Sequence, residues 1–110
     1  MTFVLTSCLV KDGIPFRRSS IEASVPSTSG IYMFWSKKFC LYVGKADNLC
    51  ERLLSHWLRS HNPELNMWIK ARGTDLCVTY RLVDSNLQNA EQELIDRLSP
   101  HLNKINARAK

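Results

Sequence analysis

Two tyrosines followed by two cationic side chains are the residues of this sequence that could perform chemistry together. Tyr32 and Tyr42 each lie in a short apolar run, and Lys45 and Arg52 follow the second tyrosine. A phenol can give or take a proton, and cations beside a phenol can lower its pKa. Lysine and arginine stabilise the negative charge that develops on a phosphoryl group during in-line attack. The spacing is therefore typical of a site that handles phosphate.

A carboxylate in the last amphipathic segment is a further candidate. The apolar positions of this segment have helical spacing and are Leu87, Ala90, Leu94, Ile95 and Leu98. Glu91 lies three residues before Leu94 and four before Ile95, so it falls on or beside the apolar stripe. A carboxylate there is costly unless it is paired. A salt bridge to Arg52 or Lys45 and a bound divalent metal ion both remain open, and helical geometry alone favours the salt bridge.

Short β-rich runs and amphipathic segments must form the elements that position these residues. Strands are predicted at residues 30–35, 39–44 and 75–83, with a turn at 36–38. Helices are predicted from 48 to about 58, from Pro63 to about 69, and from a cap at 84–86 to about 98. Arg52 and His56 are four residues apart and share one helix face. We predict an α/β (α+β) fold with a small central three-stranded, mainly antiparallel sheet flanked by helices.

The regions on either side of this core differ in composition. Residues 1–24 are predicted to form an N-terminal β arm or hairpin, with Pro15 at the edge of a sheet. Residues 19–29 are rich in Ser, Thr and Pro, which is typical of a connection. Residues 25–104 are predicted to form the single domain, and residues 105–110 to form a basic tail.

Charge and cysteine spacing limit the classes of partner and compartment. The formal net charge is +5, which favours nucleic acid as a partner ahead of an anionic membrane. The opening MTFVLTSCLV has no basic n-region and no long apolar segment, so neither a signal peptide nor a membrane span is expected. No pair among the four cysteines has the spacing of a zinc site. We expect reduced thiols in a soluble, cytoplasmic protein.

The two tyrosine runs resemble the signatures of the GIY-YIG nuclease family. Gly30-Ile31-Tyr32 matches the first signature, and Tyr42-Val43-Gly44 matches the second with Val in place of the usual Ile. Lys45 and Arg52 fall where that family keeps its active-site cations. The run YVGKADNLCERL is similar to the incision domains of bacterial excision-repair nucleases. The resemblance covers roughly residues 25–103.

The C-terminal signature of the family is also complete. Its pattern, E-x₂-L-I-x₄-P-x₂-N, is matched by Glu91, Leu94-Ile95, Pro100 and Asn103. The resemblance implies that Glu91 is the ligand of one Mg²⁺ or Mn²⁺ ion per active site, which favours the metal over the salt bridge. It also implies that Asn103 ties the C-terminal segment to the site, while Gly30 and Gly44 complete the two tyrosine signatures.

What the resemblance implies is a metal-dependent endonuclease that hydrolyses phosphodiester bonds in DNA. Either Tyr32 or Tyr42 would activate water, and His56 would move or orient a proton. Arg52 and Lys45 would stabilise the charge on the phosphoryl group. Repair, recombination and mobile-element or restriction-like cleavage are all compatible with this activity.

Specificity and the alternative functions stay open at the level of sequence. By their charge and position, the candidates for contact with nucleic acid are Lys37, Lys38, Lys45 and Arg59. Because little of the chain lies outside the catalytic core, we expect a partner protein or a second protomer to contribute to target choice. The alternatives are a nucleic-acid-binding module on the same fold that has lost catalysis, and a small interaction protein.

Overall fold

The computed structural model describes residues 10–58, 60, 62–72 and 75–103, which form one sheet with helices on both faces. The strands are β1 (Ile14–Pro15), β2 (Gly30–Ser36), β3 (Phe39–Ala46) and β4 (Leu76–Leu82). The helices are α1 (Arg18–Ser24), α2 (Leu49–Leu58), α3 (Pro63–Arg72) and α4 (Leu87–Leu98). A further helical turn covers residues 101–103.

The sheet is antiparallel and has the strand order β1-β4-β2-β3. The predicted α/β fold with a flanked antiparallel sheet is confirmed, but the prediction of three strands is wrong because there are four. The additional strand, β1, pairs only Ile14 and Pro15 with β4. A strand of this length is too short to give a recognisable alternation in sequence. Pro15 lies at the edge, where its missing N–H disturbs no ladder.

The segment after β1 is helical where a connection was predicted. Arg18–Ser24 forms α1, although three of its seven residues are serines and no side chain caps its start. Helix propensity is a weak guide when tertiary packing decides. Here Ile21 of α1 and the preceding Phe16 are completely buried in the core, and this burial holds the helix in place. Within the described residues β1 pairs with β4, so no N-terminal hairpin is seen there.

Alternation along β2 and β3 divides the core between the two faces of the sheet. On one face Tyr32, Phe34 and Tyr42 pack with the apolar sides of α1, α2 and α3. On the other face Ile31, Met33 and Val43 pack against Leu94 of α4. Successive strand residues point to opposite faces, so each strand contributes to both clusters.

A bulge in β3 decides which face receives the second tyrosine. The hairpin closes with Ser36 opposite Phe39, and Trp35 lies opposite Cys40. The register then shifts so that Phe34 lies opposite Tyr42, which leaves one extra residue in β3. If the pairing continued from Cys40 without this shift, Tyr42 would lie opposite Met33 and face α4. The bulge therefore puts Tyr42 on the same face as Tyr32.

The cysteines only partly follow the prediction. Cys40 and Cys50 are free thiols. Burial raises the pKa of the Cys40 thiol to about 11, so it stays protonated and unreactive near neutral pH. Cys77 is disulfide-bonded, so the prediction of a reduced thiol is wrong for this residue.

Among the described residues, no helix combines the length and apolar character needed to cross a bilayer.

Candidate active site

Tyr32 and Tyr42 are neighbours on one face of the sheet, with ring centroids 6.2 Å apart. Tyr32 of β2 lies opposite Gly44 of β3, and its ring lies over that glycine. A Cβ at Gly44 would overlap the Cζ and hydroxyl of Tyr32. The second signature thus needs glycine at this position because the first tyrosine occupies the space of a side chain.

The hydroxyl of Tyr32 is hydrogen-bonded to a buried histidine. Tyr32 Oη lies 2.7 Å from His56 Nε2, and both side chains are almost completely buried. Helix α2 places His56 one turn after Arg52, on the side that faces the sheet. The imidazole also packs edge-on against the rings of Tyr32 and Tyr42. The structure therefore brings together the tyrosines and the histidine that the sequence predicted.

A serine that sequence reasoning missed completes this chain of hydrogen bonds. Ser60 Oγ lies 2.8 Å from His56 Nδ1 and is itself buried. The same oxygen accepts a hydrogen bond from the backbone N–H of Asn62, and Asn66 Oδ1 accepts one from the backbone N–H of Ser60. Asn62 caps α3 through the N–H of Leu65. The available signal was the spacing, since Ser60 follows His56 by four residues, one helical turn.

Burial keeps both phenols protonated. The pKa of Tyr32 is raised above its ordinary value mainly by desolvation, with Tyr42 and Glu91 adding to the rise and Arg52 opposing it. Desolvation and Glu91 likewise raise the pKa of Tyr42, again against Arg52. Arg52 lowers both pKa values, as a cation beside a phenol can, but it does not bring them below their ordinary value. In so apolar a site the loss of hydration outweighs one arginine.

Glu91 of α4 meets Lys45 of β3 on the other side of the edge strand. Glu91 Oε1 lies 3.4 Å from Lys45 Nζ, and the carboxylate side chain is 19% exposed while the lysine is 47% exposed. The salt bridge to Lys45 that was left open is thus present. A pair this accessible contributes about 1 kcal/mol or less to stability. The position of Glu91 beside the apolar stripe is therefore not explained by stability alone.

Arg52 lies on the exposed side of α2, at the mouth of the site. Its charge acts on both phenols, as does that of Glu91. A shallow cavity of about 270 Å³ opens beside it, lined by Ala46, Asp47, Asn48, Glu51 and Ser55. The cationic and acidic groups of the two layers therefore converge on the β3 edge around the two tyrosines.

Asn103 fastens the C-terminal segment to the same edge. Its Oδ1 accepts a hydrogen bond from the Val43 N–H at 2.8 Å, and its Nδ2 donates one to the Val43 carbonyl at 3.0 Å. One side-chain amide thus replaces the strand that β3 lacks on its outer side.

Gly30 lies at the end of the β2–β3 hairpin away from the turn, opposite Ala46. A Cβ at this position would meet the carbonyl of Arg81 and the side chain of Leu49.

Two of the predicted nucleic-acid contacts, Lys37 and Lys38, do not lie next to the tyrosines. Lys37 and Lys38 are exposed at the turn between β2 and β3. Tyr42 is four residues further along β3 than Lys38, about 13 Å at the rise of a strand. Arg59 lies outside the described residues. Lys45 is the predicted contact that does face the site, through Glu91.

The donor set fits a hard divalent cation held by one carboxylate. In the described part of the chain no group of three or more His, Cys, Asp or Glu side chains could hold a metal ion. Glu91 is a part-buried carboxylate that is paired with the exposed side chain of Lys45. Mg²⁺ commonly binds through one or two carboxylates and completes its shell with water and phosphate oxygens. The residues present fit such an ion.

Known proteins share this architecture. The family model of the UvrC-like GIY-YIG domain matches residues 28–104. The N-terminal GIY-YIG endonuclease domain of UvrC from Thermotoga maritima, solved with its catalytic magnesium, is 26% identical with a TM-score of 0.60. The match covers 77% of this chain and 92% of that one. An asparagine-to-alanine variant of that domain, bound to its catalytic divalent cation, matches with the same identity, TM-score and share of this chain, and with 91% of its own. A comparison of this chain with curated proteins found no match.

Proposed function

Because the chain belongs to the family of UvrC-like GIY-YIG domains, we propose that it is a metal-dependent endonuclease that hydrolyses phosphodiester bonds in DNA. Residues 25–104 are the nuclease domain in this proposal. The observation that carries it is the buried Tyr32–His56 hydrogen bond of 2.7 Å, which lies in the electrostatic field of Arg52 and Glu91. An ordinary structural tyrosine has no need of a titratable partner and two opposite charges around it.

Proton transfer in this site runs through a pair of side chains and not through a free phenolate. Burial raises the pKa of Tyr32, so loss of its proton to solvent before attack is unfavourable. As the water oxygen attacks phosphorus, its proton passes to the oxygen of Tyr32. The phenolic proton of Tyr32 passes at the same time to His56 Nε2, at 2.7 Å. Tyr42 is the alternative acceptor, since its ring also packs against His56. The direct hydrogen bond from the Tyr32 hydroxyl to the imidazole favours Tyr32.

Positive charge on both sides of the β3 edge would stabilise the transition state. Arg52 would bind the phosphoryl oxygens from the α2 side, and Lys45 would bind them from the α4 side. Both side chains are exposed and can reach a bound substrate. Glu91 would hold the divalent ion, Mg²⁺ or Mn²⁺, which supplies positive charge to the leaving oxygen. An ion held by Glu91 would compete with Lys45 for this carboxylate, and Lys45 would then be available to contact phosphate.

Biological context follows from the same proposal. DNA repair is the pathway that the similarity to excision-repair incision domains favours. DNA is the substrate, and a partner protein or second protomer contributes to target choice. A DNA substrate also fits a cytoplasmic, intracellular place of action, which the sequence favoured.

The test is nicking of supercoiled plasmid DNA with Mg²⁺ or Mn²⁺ and with EDTA. Glu91→Gln and Arg52→Ala are each expected to lower the rate by roughly 100-fold or more, because each removes charge that stabilises the transition state. Glu93→Gln, an exposed acid on the same helix, is the matched control and should cut like the parent. Circular dichroism and thermal unfolding check that the variants are folded. Equal cutting by both site variants and the parent would disprove the site assignment.

A further inference from the structure

A groove at the tip of the β2–β3 hairpin lies apart from the candidate active site. It has a volume of about 510 Å³, is open to solvent, and is bordered by the hairpin, the end of α4 and α3. This volume falls within the usual range for ligand pockets. Its aromatic lining consists of Trp35, Phe39 and Trp68. The indole N–H of Trp35 is fixed by a hydrogen bond to Thr79, so one wall is held rigidly.

The exposure of Phe39 is unusual for a residue of its size. Its side chain is 75% exposed at the first position of β3, next to the turn. Trp68, by contrast, is partly buried against the core. An exposed aromatic side chain beside a concave aromatic wall is typical of a binding surface and not of packing.

The charges around the groove have one sign. Lys38 contributes to its lining, and Lys37 is exposed beside it at the turn. None of the lining residues, all of which belong to the described part of the chain, is acidic. Flat aromatic surface combined with cations is the chemistry that recognises an unstacked nucleotide: the base stacks on the rings, and the cations contact phosphate.

We propose that this groove receives an unstacked base of the DNA substrate, with Phe39 as its stacking platform and Lys37 and Lys38 on the adjacent phosphates. The proposal rests on the proposed function and deepens it, because it makes DNA with unpaired or extruded bases the favoured substrate class. A fully stacked duplex offers the groove no free base face, so its binding would depend on the cations alone.

The position of the groove also predicts where the DNA would be cut. Groove and candidate active site lie at different points along the edge strand β3. From Phe39 the strand rises about 10 Å to Tyr42 and about 20 Å to Lys45. A stacked nucleic-acid strand rises about 3.4 Å per nucleotide. The scissile phosphate would therefore lie about 3 to 6 nucleotides from the unstacked base.

Binding without metal separates this proposal from catalysis. The probes are a fully paired DNA duplex and the same duplex with one unpaired 2-aminopurine, measured by anisotropy in EDTA. We expect the unpaired probe to bind the parent more tightly and its 2-aminopurine fluorescence to change on binding. Phe39→Ala should remove about 10-fold or more of the affinity for the unpaired probe and leave the paired probe unaffected.

Two further sets of variants test whether the effect is specific to Phe39 and whether the lysines contact phosphate. Leu82→Ala removes another exposed apolar side chain, 58% exposed, from the opposite end of the sheet and should change neither affinity. Replacing both Lys37 and Lys38 by Gln should weaken both probes and reduce the salt dependence of binding by up to about two units of slope. Thermal unfolding checks that each variant is folded.

The outcomes distinguish failure of the groove from failure of the enzyme. If the parent cuts DNA but binds both probes equally, or if Phe39→Ala weakens both probes equally, the groove proposal is overturned and the proposed function stands. The groove proposal is also overturned, and the proposed function stands, if the cuts in the unpaired probe show no fixed distance from the unpaired base. If the parent binds neither probe and cuts no DNA, the proposed function fails and the groove proposal fails with it.

Discussion

At the scale of single residues, the candidate site depends on a buried phenol that is hydrogen-bonded to a buried histidine. Tyr32 is about 1% exposed and its hydroxyl contacts His56, while the other ring nitrogen contacts Ser60. If Nδ1 carries the proton and donates it to Ser60 Oγ, then Nε2 is the acceptor for the Tyr32 proton. Ser60 thus acts through His56, as a positioning residue.

Replacing Ser60 tests this assignment. We expect Ser60→Ala to lower kcat for DNA cleavage by about 10-fold or more with KM unchanged, because the histidine loses the partner that selects its tautomer. Ser60→Thr keeps the hydroxyl and should restore most of the rate. Steady-state kinetics across a pH series provides the measurement, and chemical denaturation shows whether the fold is affected. An alanine variant with parental kcat and an unchanged pH profile would show that Ser60 only supports the loop before α3.

At the scale of elements, the edge strand β3 is the part of the fold on which the site depends. Its bulge turns Tyr42 toward Tyr32, and its alternation sends Lys45 to the opposite face, toward Glu91 of α4. An edge strand lets side chains from the two layers meet around it, which a central strand would prevent. Its outer backbone groups need partners, and Asn103 supplies both for Val43.

Asn103 is therefore expected to stabilise the edge as well as the site. Asn103→Ala should lower the free energy of unfolding by about 1 to 3 kcal/mol, because the part-buried N–H and carbonyl of Val43 lose their partners. Asn103→Asp keeps an acceptor for the N–H but places a carboxylate against the carbonyl, so it should also destabilise. Urea denaturation gives the measurement, with Asn89→Ala, at an exposed position of α4, as control. Identical urea midpoints for Asn103→Ala and the parent would contradict this role.

At the scale of the whole molecule, the site is buried between layers that the rest of the chain holds together. Phe16 and Ile21, which precede the region matched by the family model, are completely buried in the same core as Tyr32. The helices of one face enclose the tyrosines and His56, whereas α4 covers the other face. The consequence of this enclosure is that ionised phenolates are excluded from the native state.

Alkaline pH should therefore destabilise the protein. Both phenols have pKa values raised by burial, so above the unfolded pKa of about 10 the unfolded chain loses protons that the native state keeps. The unfolded state then binds fewer protons, and the free energy of unfolding falls by up to about 1.4 kcal/mol per pH unit for each such tyrosine. Below pH 10 this contribution to stability is fully present.

Urea denaturation in EDTA between pH 8 and 11 measures the effect. Tyr32→Phe should make the decline in stability with pH clearly shallower than in the parent, and a double variant that also carries Tyr42→Phe should make it shallower still. Cys40, whose pKa is raised to about 11, contributes equally to all three proteins and cancels in the comparison. Parallel pH profiles for the parent and the double variant would be incompatible with protonated, buried phenols.

The sequence by itself determined the residue types of the site and most of the elements that carry them. Short-range rules suffice for this, because strand runs, helix caps and apolar spacing are local in the chain: β2, β3, β4, α2, α3 and α4 lie where the patterns predicted them. The signatures around Tyr32, Tyr42 and Glu91 also led to the family that the chain belongs to. The edge position of Pro15 was predicted, but the pairing of β1 with β4 and the helix α1 were not, because long-range burial of Phe16 and Ile21, and not local propensity, decides them.

Only the tertiary structure decided how these residues meet. The bulge before Tyr42 reverses the face that simple alternation from the turn would give, and no local pattern announces it. The fold also places Ser60 against His56, and Lys45 against Glu91 across forty-six residues of sequence. Likewise, cations near the tyrosines could be counted in the sequence, but the loss of hydration that outweighs them exists only once the core has closed around the phenols.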